Sequence, residues 1–100
     1  MLCVVHRLDD PEKTHLRKVH RDAHLVHLEA YRDRILLAGP YRDPVTGADC
    51  GSMFLMRTHS LEEARRFAED DPYMRHGVFR HLEVREWTKK TGSVSLPEAG

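Results

Sequence analysis

Four short apolar runs and two uninterrupted stretches of helical spacing alternate in this chain. Their order narrows the fold more than any other feature. The first run is LCVVHR, the second RILLAGPYRD, the third CGSMFLMRT and the fourth VFRHLEVREW. Each is rich in the β-branched and apolar residues that strands favour. Gly39 and Pro40 are expected to disturb the second. Between the first and second, residues 14 to 32 contain no Gly or Pro, and Leu16, Val19, Ala23, Val26 and Ala30 recur at helical spacing. Leu28 and Tyr31 widen that apolar arc, and Thr14 is the expected helix cap. The second helix is SLEEARRFAEDD, with Ser60 as N-cap and Glu63 three residues on, as a capping box requires. Leu61, Ala64, Phe67 and Ala68 form its buried stripe, and Pro72 ends it. DPVTGAD reads as a hairpin loop and DPYMRHG as a tight connection.

The resulting order, βαββαβ, predicts an α+β fold of ferredoxin-like arrangement: an antiparallel sheet with both helices on one face. Residues 1–87 form the domain. Residues 88–100, TKKTGSVSLPEAG, read as a flexible C-terminal tail. The first and third strands carry apolar residues at both parities: Leu2 and Val4 with Cys3 and Val5, then Met53 and Leu55 with Phe54 and Met56. A solvated face would alternate instead. Something is therefore expected to cover the second face, and the sheet of a second copy is the simplest cover, giving a homodimer. In the usual strand order Cys3 and Cys50 lie at opposite ends of their strands, too far apart for a disulfide.

Lys plus Arg and Asp plus Glu are each 16 in 100 residues, so the formal net charge is zero. That argues against binding nucleic acid through phosphate neutralisation. No apolar run approaches the length of a membrane span. The opening MLCVVHRLDD has too short an apolar core for a signal peptide, and a cytoplasmic location is expected.

Three of the eight histidines, His20, His24 and His27, fall on one helical strip. The spacing of His20 and His24 points both side chains the same way, and zinc uses such pairs. Here Arg21 follows the first histidine where the zincin motif needs a glutamate, and no cysteine is near. His20 and His27, beside Arg17, Lys18 and Arg21, suit a polar helix margin. His24 lies at the boundary between that margin and the arc of Leu28 and Tyr31. A histidine there is either a satisfied boundary residue or a working acid or base. Asp70 and Asp71 end the second helix, where negative charge opposes the macrodipole. They are either turn residues or carboxylates retained for chemistry.

The strand LCVVHRLD, the segment RDAHLVHLEAYRDRILLAGP and the segment SLEEARRFAEDDPYMRHGVFRHLEVREW together resemble the YciI-like family of small bacterial proteins. The family's patterns are an HL pair in the first helix with a further Leu, and A-x-x-DP-[FY] followed by a Gly and the last strand. Here these are His24-Leu25 with Leu28, and Ala68 through Tyr73 with Gly77. The resemblance implies a dimeric α+β barrel with a pocket in which a histidine and an aspartate are proposed to be catalytic. By position these are His24 and Asp71. One similar group dechlorinates a chlorinated hydroxyquinol, and the wider superfamily includes lactone isomerases and monooxygenases.

The expected function is proton transfer on a small cyclic or aromatic metabolite, of lyase or isomerase type and without a cofactor. His24 would move the proton, and Asp71 would orient its imidazole or stabilise the imidazolium. Arg42 or Tyr41 would hold an anionic substrate. The alternatives are a dimeric module that binds a small molecule without turning it over, and a structural subunit. With no phosphate-binding Gly-rich loop, dinucleotide fingerprint or zinc set in the chain, neither cofactor nor metal is expected.

Overall fold

The computed structural model describes residues 1–97. Strand β1 (Leu2–Asp9) lies inside the sheet, between β3 (Asp49–Arg57) and β4 (Phe79–Glu86), and β2 (Ile35–Arg42) takes the outer place beside β3. The order β2-β3-β1-β4 is antiparallel throughout. This is the expected ferredoxin-like α+β arrangement. Gly39 and Pro40 do not interrupt β2. It is an edge strand, where a residue without an N–H costs no ladder bond on the open side. The DPVTGAD loop closes as a hairpin: Asp43 Oδ1 accepts from the N–H groups of Val45 and Thr46, and Gly47 takes φ +73°.

Register decides which side chains meet the helices. Val5 lies opposite Phe54 on one side and Val84 on the other. Strand alternation therefore sends Cys3, Val5, Arg7 and Asp9 to one face. Cys3, Val5, Phe54 and Met56 pack with Ala64, Phe67 and Ala68 of the second helix, α2 (Leu61–Asp70), to make the main core. Burying each large side chain there contributes about 1.5–3 kcal/mol. Ser60 caps α2 by accepting from the Glu63 N–H at 3.1 Å, while Glu63 reaches back to the His59 N–H. Leu61, expected in the stripe, is exposed. Gly51 of β3 allows a close approach of backbones, since a Cβ there would stand 2.5 Å from the Arg7 carbonyl oxygen.

The first helix, α1 (Leu16–Ala30), departs from expectation in which face it buries. Val19 and Val26 are 68% and 72% exposed, and Ala23 and Ala30 face solvent with them. The inward strip is Leu16, His20, His24, His27 and Leu28. The reason is its neighbour. Asp71 and Pro72 start a further short helix, α3 (Pro72–Arg75), in place of the expected connection, and α1 packs chiefly on it. That surface offers rings and carbonyls. His20 stacks on His76 at 3.7 Å, His24 stacks on Tyr73 at 3.8 Å, and the His27 Nε2–H donates to the Phe67 carbonyl at 2.8 Å. Imidazole serves both kinds of contact, whereas valine serves only the first. Thr14 is not the cap either: its hydroxyl donates to Asp9 Oδ2, and His15 precedes the helix without a side-chain cap bond.

The opposite sheet face carries Leu2, Val4, His6 and Leu8 of β1 with Met53 and Leu55 of β3, so both strands are apolar on both faces. Cys3 pairs with Met56 while Cys50 lies at the far end of β3, and both are free. Residues 88–97 hold neither helix nor strand. The rest of the expected tail, residues 98–100, lies outside the described residues. Among the described residues no helix is long and apolar enough to cross a membrane.

Candidate active site

Because α1 rests on α3, it stands away from the β2–β3 half of the sheet. A cleft of about 730 Å³ opens between them, within the range of small-molecule sites. Ser52, Phe54 and Phe79 form its floor, Ala38, Gly39 and Pro40 its edge, and His24, Leu25 and Leu28 part of its roof. Arg7, Arg17, Lys18 and Arg21 also line it, with Asp49 the one acid among the described residues. Arg7 is paired with Asp71 and Arg17 with Asp9, so the excess positive charge facing the cleft comes from Lys18 and Arg21.

His24 reaches the cleft, and Asp71 meets it from the buried side. His24 Nδ1 lies 2.8 Å from Asp71 Oδ1. The elements that deliver them are α1 and the break between α2 and α3. Pro72 cannot continue α2, so Asp71 takes an extended conformation and caps α3, its Oδ1 accepting from the Tyr73 N–H at 2.9 Å. A carboxylate that reads as opposing one helix thus serves the start of the next. Asp71 Oδ2 lies 3.0 Å from Arg7 Nη1, and both side chains are fully buried. Their charges attract, although the contact is off the line of a hydrogen bond.

Burial pushes the Asp71 carboxyl up. The bond from His24 and the charge of Arg7 outweigh that and hold it below the usual carboxylate range. Asp71 is therefore an anion at neutral pH. An anion only accepts, so His24 donates from Nδ1, and Nε2 is the ring nitrogen left for a ligand. Tyr73, stacked on His24, fixes the plane of the ring. Burial also lowers the Arg7 guanidinium from its ordinary value against the attraction of Asp71. Arg7 Nε reaches Ser52 Oγ at 3.4 Å, and its Nη2 is buried without a protein partner among the described residues. Arg17 is tied more firmly: Nε and Nη2 donate to the two oxygens of Asp9 at 2.9 and 2.8 Å, fixing the start of α1 to the end of β1.

One consequence is measurable by acid titration. Asp71 holds its proton less readily in the folded chain than in the unfolded one. Its contribution to stability is complete above the ordinary carboxylate value, about pH 4, and is lost as pH falls through the lower folded value. The Tm should fall steeply below about pH 4, and Asp71→Asn should flatten that slope. Equal slopes in the two proteins would remove Asp71 from this role.

Other expected residues are placed elsewhere. Asp70 turns away and pairs with Arg75 at 2.9 Å. Tyr41 points to the other sheet face, where its hydroxyl bonds His6 Nδ1 at 2.8 Å, and Arg42 is exposed outside the cleft. Neither is positioned to hold a substrate here. Arg7 is the residue that sequence reasoning passed over. Its signal was parity: an odd-numbered neighbour of Cys3 and Val5 shares their face.

Residues 1–88 match the model of the YCII-related domain. The protein YciI of Escherichia coli O6:H1 is 34% identical, over 89% of this chain and 98% of its own length. An uncharacterized protein of Haemophilus influenzae is 28% identical over the same shares. Among solved structures, a 5-chloro-2-hydroxyhydroquinone dehydrochlorinase from Burkholderia phenoliruptrix AC1100, in complex with 2,5-dihydroxybenzoquinone, superposes with a TM-score of 0.82. It is 32% identical, covering 90% of this chain and 96% of that one. With a family match along nearly the whole ordered fold and relatives aligned end to end, the chain belongs to the YCII-related domain family.

Proposed function

We propose that this protein is a cofactor-independent enzyme of lyase type, moving protons on a small anionic ring compound, with His24 as acid and base and Asp71 as its orienting partner. The observation that carries the reading is the 2.8 Å contact of His24 Nδ1 with an ionised, buried Asp71 at the wall of a cleft that Lys18 and Arg21 also line. The dehydrochlorinase likeness supports the lyase class. On a chlorinated hydroxyhydroquinone the balance is simple. His24 Nε2 takes a hydroxyl proton and returns a proton to the chlorine-bearing carbon. The C–Cl bond then breaks, chloride leaves with the bonding pair, and a second hydroxyl proton is released. The net loss is HCl, and the ring becomes a hydroxyquinone. The exposed charges of Lys18 and Arg21 suit the oxyanions that develop, with the buried Arg7 adding positive potential from beneath.

Binding is tested with 2,5-dihydroxybenzoquinone as probe. It should raise Tm in a concentration-dependent way, and Lys18→Ala with Arg21→Ala should weaken it about tenfold at low salt. No protection in the wild type would count against an anion-binding cleft. Protection without turnover of any chlorinated hydroxyhydroquinone would favour a binding module.

We further propose that the chain works as a homodimer through the open sheet face, because Val4, Leu8, Met53 and Leu37 present apolar surface there. Sedimentation should give a dimer mass, and Met53→Lys should shift it to monomer. A monomer at every concentration would exclude this.

A further inference from the structure

On the sheet face opposite Arg7, the fold brings one metal-ligating side chain of β1 to a pair on β4 that is far from it in sequence. His81 and Glu83 are two residues apart on β4 and project from the same side. The antiparallel register sets His6 of β1 directly across from Glu83. One ligand atom from each of the three lies within 4.8 Å of the others, and His81 Nε2 is already 3.4 Å from Glu83 Oε1.

We propose that His6, His81 and Glu83 form a site for a divalent transition metal, with zinc the best fit to two imidazoles and one carboxylate. Zinc binds these groups at about 2.0–2.2 Å, which places tetrahedral ligands roughly 3.3–3.5 Å apart. His81 and Glu83 meet that spacing. His6 closes the remainder through small rotamer changes of its two partners, whose side chains are 43% and 40% exposed. The second shell is also in place. The Tyr41 hydroxyl engages His6 Nδ1 at 2.8 Å, which leaves Nε2 for the metal and fixes the ring. Arg85 approaches the other oxygen of Glu83, Oε2, at 3.5 Å and leaves Oε1 available. Three protein ligands leave a fourth position for solvent. None of these residues lies in the cleft, so the inference is independent of the proton transfer proposed above; they lie on the β1–β4 side of the sheet face assigned to the homodimer, and binding is therefore measured on the chain in its own oligomeric state.

The test is a titration of the chelator-treated full chain with zinc by calorimetry and with cobalt(II) by visible absorption. The expected result is one high-affinity metal per chain and the intense bands of four-coordinate cobalt. His81→Ala and Glu83→Gln should each weaken binding by more than about tenfold with the sedimentation mass unchanged, and Tyr41→Phe by about 10–100-fold. His20→Ala should leave it unchanged, which separates this site from the stacked His20–His76 pair. Absence of saturable binding overturns the proposal. So does binding that survives both His81→Ala and Glu83→Gln, or that is lost in His20→Ala.

Discussion

Asp71→Ala should destabilise the protein by about 3–5 kcal/mol, because it strands a fully buried guanidinium. Arg7 lies beneath α2 and over the Phe79 ring, 4.2 Å from its centroid, with no solvent to replace the lost anion. The same substitution removes the cap of α3 and the acceptor of His24. Arg7→Met should cost less, since Asp71 keeps its bonds from His24 and the Tyr73 N–H. The double substitution Arg7→Met with Asp71→Ala should cost less than the sum of the two, as expected for neighbours that interact. Urea unfolding of the four proteins gives the coupling directly. A loss below about 1 kcal/mol for Asp71→Ala, or strict additivity, would show that the pair is not held as described. Asp71→Asn keeps the shape but removes the charge, so it too should destabilise measurably. From sequence alone it would be expected to leave folding almost untouched, because nothing in the spacing places Arg7 beside it.

His24→Ala should reduce turnover of a chlorinated hydroxyhydroquinone by about 10²–10⁴-fold, the usual contribution of a positioned acid–base group. Chloride release at saturating substrate measures this. Binding of 2,5-dihydroxybenzoquinone should change only a few-fold, since the cationic lining is intact. Folding should lose about 1 kcal/mol with the bond to Asp71. The separation of the two effects is the informative result. Equal losses of binding and turnover would make His24 a ligand contact, and unchanged turnover would remove it from the chemistry.

The four strands and α2 were legible because their signals are local. Alternation in LCVVHRLD sends Cys3 and Val5 to one face, and Ser60 with Glu63 caps a helix wherever the chain places it. The family's motif positions also led to His24 and Asp71, which the fold brings to 2.8 Å. The inward face of α1 was not legible. Its apolar spacing favours Val19 and Val26, yet both are exposed, because the partner surface is α3 and not the sheet. That surface is decided by Pro72 restarting a helix after Asp71, a tertiary fact with only a turn-like signature in sequence. Arg7 was hidden by its charge: strand parity places it inward, but a buried arginine is expected only once its carboxylate partner is known. The His6, His81 and Glu83 cluster was hidden by chain distance and needs the β1–β4 register.

The most direct measurement is a crystal structure of the protein with 2,5-dihydroxybenzoquinone. The account predicts the ring in the cleft between α1 and the sheet, with one of its oxygens about 2.6–3.2 Å from His24 Nε2 while Nδ1 remains on Asp71. A ring bound elsewhere, or one in the cleft with His24 turned away from both it and Asp71, would contradict the account.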